Sequence, residues 1–374
     1  MTAVVNTGPE PAGAPGPTGV PALAGVQVAP WVPAGRLVAA AAVLGKAFDV
    51  VWVPDQMLAR NIYALLAAVA AGGQVGVGSA VAVPLSRNPI DLASSMATIV
   101  ELAAPDQPVL MGMGAGGSLV ASLLPKRSAT AVLRESVELV RRLWTGEPVP
   151  LADYPTLAAR LGWRPGASAR LTYPVTREIP ILVAVGGPKT LALAEDATDG
   201  LLGTSTFPPL SYAALRAGDR SSAGRIADVA DRRARAGRPM RLIYGLNCCV
   251  SADRAAAREF ARRQAALVVG NPAVWPALDA VGLDLESAHA VRAVLDRGEG
   301  VEAAARAVAD DVLDAFVVSG TPAECVDLLG ESAALARAAG FTECYLGVPL
   351  GPDLAEAARI LVDTIAPELW PARR

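Results

Sequence analysis

From Val26 onward, short apolar runs alternate with longer alanine-rich stretches, and that rhythm restricts the chain to very few architectures. GVQVAPWV precedes GRLVAAAAVLGKAF, DVVWVPDQ precedes NIYALLAAVAAGG, and QVGVGSAVAVP precedes PIDLASSMATIVELAA, with proline in that helix's first turn. PVLMGMGAG then leads to TAVLRESVELVRRLWTG, and IPILVAV to GGPKTLALAEDATDG. LLGTST, RLIYGLNCCV, DAFVVSG and TECYLGVPL supply the remaining strands. The strand runs are nearly continuous in apolar character, as parallel strands covered on both faces must be. Roughly eight such units predict an α/β chain closed into a (β/α)8 barrel rather than an open doubly wound sheet. Residues from about Ala252 to Ala309 read as all-helical, an insertion before the last two strands.

The first residues, through PALA, are proline-, glycine- and alanine-rich and bury too little to offset the entropy of ordering. A flexible segment over 1–24 and a single domain over 25–374 are expected. That start has no basic region followed by an apolar core, so it does not read as a secretory signal. No eighteen-residue apolar run exists, since the stretch Leu65 to Val81 is broken by Gly72, Gly73 and Gln74. A net charge of −3 without a basic cluster argues against nucleic acid as partner. Four cysteines, Cys248, Cys249, Cys325 and Cys344, have neither redox nor zinc spacing and read as buried thiols, which points to the cytoplasm.

A barrel carries its chemistry at the C-terminal ends of its strands. Those ends are expected at Pro30, Pro54 to Gln56, Ala80 to Pro84, Gly114 to Ser118, Gly186 to Lys189, Thr204-Ser205, Cys249 to Ser251, and Gly347 to Pro352. With His289 the only histidine, and in the helical insertion, the sequence argues against a histidine-based triad and rules out a histidine-rich metal site, and no metal is expected. The GxGxxG spacing within Gly112 to Gly117 lacks the second strand and acidic tip that a dinucleotide fingerprint needs. Among the strand ends Asp55 is the clearest acid–base candidate, with Gln27 and Gln56 as neutral neighbours. It reads equally as the cap of the following helix. With so few such groups, either a cofactor performs the hard step or the chain is not an enzyme. VAVGGPKT stops a strand on two glycines and opens a helix with Pro188, an arrangement that favours phosphate.

Taken in order, VWVPDQMLARNIY, GSAVAVPLSRNP, SMATIVEL, GMGAGGS, RESVELVRRLWTGEPV, PILVAVGGPKTLALAEDATDG and VSGTPAE resemble the bacterial luciferase-like superfamily over about residues 25 to 365. ARNIY, LNCCVSAD, AFVVSGTPAE and LGVPLGPD are most similar to its coenzyme F420-dependent methylenetetrahydromethanopterin reductases. The resemblance implies a (β/α)8 TIM barrel of the luciferase-like type that binds F420, or alternatively FMN, at its C-terminal mouth. It implies a non-prolyl cis peptide at Ala80–Val81 against the cofactor ring, with Gly114, Ala115 and Gly116 beside it. It also implies Asp55 at the ring's polar edge, and Val185, Gly186, Gly187 and Lys189 at the phosphate. A homodimer is implied as well.

The departures are specific. Gln27 stands where the reductases carry a first-strand carboxylate, Gln56 where relatives have histidine, and Gly117 at or beside an acidic position. Three readings follow. The first is an F420-dependent hydride transfer to an activated C=N or C=C of a small molecule, with Gln27, Asp55 and Gln56 at the reacting centre. The second is an FMN monooxygenase fed by a separate reductase. The third is a barrel kept only for binding.

Overall fold

The computed structural model describes residues 22–117, 123–124, 127–204, 221–280 and 282–370. Eight strands form the barrel: β1 (Ala22–Gln27), β2 (Val50–Val53), β3 (Gly76–Ala82), β4 (Val109–Met113), β5 (Ile181–Ala184), β6 (Gly200–Thr204), β7 (Arg241–Val250) and β8 (Glu343–Leu350). All neighbours are parallel, β8 pairs with both β1 and β7, and the β6–β7 pairing closes the ring. The described helices between them include α1 (Ala34–Leu44), α2 (Ile62–Ala71), α3 (Pro89–Leu102), α4 (Ala129–Trp144), α5 (Pro188–Ala197), α6 (Ser221–Arg235), α7 (Pro322–Ala338) and α8 (Leu354–Ile360). Among them, no helix is long and apolar enough to cross a membrane.

Two apolar layers explain the uninterrupted strands. The outward side chains, such as Val51, Val53, Val77 and Met111, pack against the helices. The inward ones, Val50, Trp52, Ala80, Leu110, Leu182, Leu202, Ile243 and Tyr345, fill the barrel. Trp52 and Tyr345 are the large members, and they fit because the residues paired with them on neighbouring strands are glycines. A Cβ on Gly78 would lie 2.4 Å from the Trp52 ring, and one on Gly245 would lie 2.5 Å from the Tyr345 hydroxyl. Each well-buried side chain of this kind contributes about 1.5–3 kcal/mol.

The structure departs from the sequence reading in three places. The first strand begins at Ala22, inside the segment expected to be flexible to residue 24, because its backbone pairs with Glu343 and Cys344 of β8. DAFVVSG supplies a short strand, Val318–Gly320, but not a stave. Among the described residues it pairs with Cys248 to Val250 at the end of β7, beyond the last described β6 pair, Thr204 with Gly245. The helices from Arg254–Val269 to Asp310–Phe316 therefore sit between β7 and this ninth strand, and they bury a core of their own around Ala261, Val269 and Phe316. Asp55 does not cap α2. Asn61 does, its Oδ1 accepting from the Tyr63 and Ala64 N–H groups at 2.9 and 3.3 Å.

All four cysteines are buried, and no disulfide joins them. Contact with the Cys325 thiol, then burial, pushes the Cys248 thiol well up, so it stays a protonated packing group. His289 lies in the helical insertion with its ring edge-on to Trp275, 4.5 Å between centroids.

Candidate active site

Five consecutive staves, β1 to β5, bring their C-terminal ends to one mouth, and the residues singled out in the sequence lie there. Gln27 ends β1, Asp55 and Gln56 follow β2, Ala80 and Val81 lie in β3, Gly114 to Gly116 follow β4, and Val185 to Lys189 lead from β5 into α5. Ser118 and Ser205, expected at the ends of their strands, lie outside the described residues.

Gln27 is buried and spans the mouth. Its Nε2 donates to the Ala80 carbonyl oxygen at 2.8 Å, while its Oε1 accepts from the Val348 N–H at 3.5 Å. The Ala80–Val81 peptide is cis, at the position the resemblance implies, and Val348–Pro349 is cis as well. The amide therefore holds β3 and β8 together from β1, a role that needs a donor and an acceptor in one side chain. A carboxylate there would face the Ala80 oxygen without a proton. We predict that Gln27→Glu raises the pKa of the introduced carboxyl in the folded state. Relative to the parent, the variant then loses about 1–3 kcal/mol as pH rises above the ordinary glutamate value of about 4.3. Urea midpoints for both proteins at pH 5 and pH 8 measure the loss; equal differences at the two pH values would show that the carboxylate finds another donor.

Asp55 is fully enclosed and bound on both oxygens. Arg87, beyond the end of β3, donates from Nε to Oδ2 at 3.0 Å and from Nη2 to Oδ1 at 2.8 Å. The Asp55 N–H donates to the Val81 carbonyl at 3.2 Å, which fastens the β2 loop to the cis peptide. Bidentate pairing leaves this carboxylate little freedom to move a proton. Beside the pair the Tyr63 hydroxyl is buried without a partner. Burial first, and the Asp55 charge second, push its pKa well up, so it is a neutral phenol. Gln56 is half-buried, and only its backbone carbonyl has a described bond, to the Ala59 N–H.

The β4 and β5 ends are almost bare. A Cβ on Gly114 would lie 2.8 Å from Val81 Cγ2, so this glycine lets β4 approach the cis peptide. Gly116 has φ +77°, which only glycine adopts freely. Gly117, Gly186 and Gly187 would each accept a Cβ into open space, and Gly187 is fully extended, so neither packing nor backbone conformation requires them. The N–H groups of Gly186 and Gly187 already donate to Thr190 Oγ1 at 3.0 and 3.2 Å. The phosphate contact expected of them therefore requires Thr190 to share or release them. Lys189 is exposed and Val185 is buried, its N–H donating to the Leu202 carbonyl.

Sequence reasoning missed Arg87, Tyr63 and Asn247. Asn247 shares the inward parity of Ile243 and Gly245 on β7, and its amide lies so close to Gly347 that a Cβ there would meet Oδ1 at 2.6 Å. A single polar residue inside the apolar run RLIYGLNCCV was the available signal. Arg87 had none, because only the fold brings residue 87 to residue 55.

Comparison with known proteins fits this picture. The family model for luciferase-like monooxygenases matches residues 14–339. The chain belongs to that family. Within it, the 5,10-methylenetetrahydromethanopterin reductase of Archaeoglobus fulgidus is 30% identical over 336 residues, covering 86% of this chain and 92% of the relative. The barrel resembles the coenzyme F420 dependent tetrahydromethanopterin reductase from Methanopyrus kandleri with a TM-score of 0.70 at 20% identity, covering 94% of this chain and 99% of that one. It also resembles an F420-dependent secondary alcohol dehydrogenase with an F420-acetone adduct, with a TM-score of 0.64 at 19% identity over 92% of this chain and 99% of that one. Such relatives of this luciferase-like chain are oxidoreductases. The feature of the mouth that fits a bound cofactor is the open backbone at Gly186–Gly187, where a Cβ would meet nothing within 4 Å.

Proposed function

We propose that the chain is an F420-dependent oxidoreductase that reduces a small organic acceptor whose C=N or C=C bond is already activated. The observation that carries this reading is chemical. Among the described residues the mouth presents amides, glycines and a neutral phenol, and the one buried carboxylate there is tied to Arg87 on both oxygens. Gln27 and Asn247 have no proton to give at neutral pH, and Gln56 has none either. A carbonyl acceptor needs an acid at its oxygen, whereas an iminium carbon does not. Bound here, reduced F420 supplies a hydride; adding it to an iminium carbon gives the neutral amine, and the second hydrogen leaves as a proton to water. The chain's own residues orient and enclose. Val81 and Ala80 would face the ring, Gly114 to Gly116 would lie beside it, and Gly186, Gly187 and Lys189 would meet the phosphate. The similarity to a methylenetetrahydromethanopterin reductase supports the deazaflavin over FMN.

Fluorescence titration with F420 beside FMN tests the cofactor, and loss of F420H2 on adding acceptor tests the reaction. The expected result is F420 bound at least tenfold more tightly than FMN, with iminium acceptors reduced faster than plain ketones. Preference for FMN with oxygen uptake would replace this reading with a monooxygenase. Ligand binding without turnover on any acceptor would leave a binding protein.

The two glycines give a sharper test. In Gly187→Ala the new methyl meets nothing within 4 Å and the backbone is already extended. Thermal stability is expected to be unchanged or slightly raised, while F420 affinity falls by roughly tenfold, since one methyl at a backbone–phosphate contact removes about 1.4 kcal/mol or more. Unchanged affinity would mean that the phosphate lies elsewhere.

A further inference from the structure

On the β1 and β2 side the rim of the mouth is apolar and exposed. Among the described residues Leu58 is the most exposed large apolar side chain, at 76%, and Trp31 is 46% exposed. Both stand on loops that leave the C-terminal ends of staves, the face where a barrel carries its substrate contacts. Chain length limits how far they lie from the mouth. Trp31 is four residues past Gln27 and Leu58 two past Gln56, so at about 3.6 Å per residue their backbones lie within about 14 Å and about 7 Å of those two positions.

Arg60 ties the two loops together, its Nη1 donating to the Trp31 carbonyl at 2.7 Å and to the Pro30 carbonyl at 3.4 Å. Each loop is also braced within itself. The Val32 N–H closes a turn on the Ala29 carbonyl at 3.3 Å, and Pro30 and Pro33 fix φ on either side of Trp31. In the second loop the Ala59 N–H closes a turn on the Gln56 carbonyl at 2.9 Å. Of that turn's two central residues, Met57 packs against the core and Leu58 stands out. The charged residues of these loops are Asp55, enclosed against Arg87, and Arg60.

The exposed part of each side chain contributes nothing to the fold, and the braced loops leave little backbone entropy to lose when something covers them. With 46% and 76% exposed, the two side chains offer on the order of 250 Å². That is well short of the ~800 Å² that each partner of a stable protein interface buries, but enough to cover one face of a small fused ring. We propose that Trp31 and Leu58 form an apolar lip that receives the aromatic body of the acceptor while its activated C=N or C=C bond reaches into the mouth. The indole suits such an acceptor through its apolar area and through the attraction of its π face for the positive charge of an iminium. The lip rests on the oxidoreductase reading and names the substrate class within it, an activated bond fused or conjugated to an aromatic ring.

The test uses N-methyl-3,4-dihydroisoquinolinium and N-methylpyrrolinium, which carry the same charged C=N group and differ in the fused benzene ring. Saturation-transfer NMR on the full-length chain measures binding of each probe with and without F420, in the parent, Trp31→Ala and Leu58→Ser. The parent is expected to bind the aromatic probe about tenfold more tightly than the other. Trp31→Ala should weaken that probe about tenfold and Leu58→Ser about threefold, with N-methylpyrrolinium within about twofold of the parent. Melting temperatures should stay at the parent's, because both side chains are exposed. Where turnover is seen, kcat/KM for the aromatic probe falls in the same proportion. A parent without preference for the aromatic probe, equal losses for both probes, or no loss for either would overturn the lip. So would a fall in sedimentation mass in Trp31→Ala with probe binding unchanged, which would assign the face to a second copy of the chain. Failure of F420 to bind the parent would sink the cofactor reading alone, because the probe comparison is also made without cofactor.

Discussion

Replacing Arg87 with leucine is expected to destabilise the protein by about 3 kcal/mol, at the lower end of the range for breaking a buried ion pair. The Asp55 side chain has no solvent exposure, and its two oxygens are held by Arg87 alone among the described side chains. Without the guanidinium, that carboxylate must either stay charged without a partner or take up a proton. The lower end applies because the Arg87 side chain is 26% exposed, so water can reach in when it is gone. Urea denaturation measures the cost. The double variant Asp55→Asn with Arg87→Leu should recover more than half of it, since the penalty belongs to the stranded charge. A single variant as stable as the parent would mean that water already solvates Asp55. F420 affinity should fall in the single variant too, because the Asp55 backbone holds the Val81 carbonyl.

A second large effect is expected where β1 meets β2. Gly25 has φ +154°, and a Cβ built on it would lie 2.0 Å from the Val50 carbonyl oxygen and 3.0 Å from the Trp52 indole nitrogen. The oxygen is backbone in the adjacent strand, so it cannot swing aside as a side chain would. Gly25→Ala must therefore push β1 away from β2 or break the irregular pairing with β8 between Leu23 and Gly25. A loss of more than about 3 kcal/mol, or failure to fold, is expected. Gly35→Ala is the control. It lies in the first turn of α1, where a new methyl meets nothing within 4 Å, and it should stabilise by about 0.5–1 kcal/mol. Melting temperatures of the two variants should move in opposite directions. A Gly25→Ala protein with the parent's melting temperature would show that β1 has slack at the bulge.

Both effects depend on contacts between segments far apart in sequence, and that marks where the sequence reading stopped. Alternating apolar and alanine-rich runs were enough to give a parallel barrel. Strands buried on both faces must be apolar throughout, and helices must follow them to cover the outside. The places where glycines gather, after β4 and before α5, were equally plain, since a bare backbone at a strand end is visible in one dimension. Which polar side chains meet was not visible. Asp55 reads locally as a helix cap, but Asn61 caps α2 and Asp55 turns to Arg87, a partner 32 residues away. Gln27 reads as a lost acid, yet its amide joins β1 to β3 and β8 at once.

DAFVVSG reads as one more stave because its apolar pattern is that of a strand. A closed ring of eight has no ninth place, so it pairs outside the ring, on Cys248 to Val250 at the end of β7. That placement pairs Ser319 with Cys249 across 70 positions of sequence, a neighbour that no run of residues contains. Periodicity follows from each strand's own burial and is written in sequence order. The pairing of side chains across the mouth follows from barrel closure, which only the three-dimensional fold supplies.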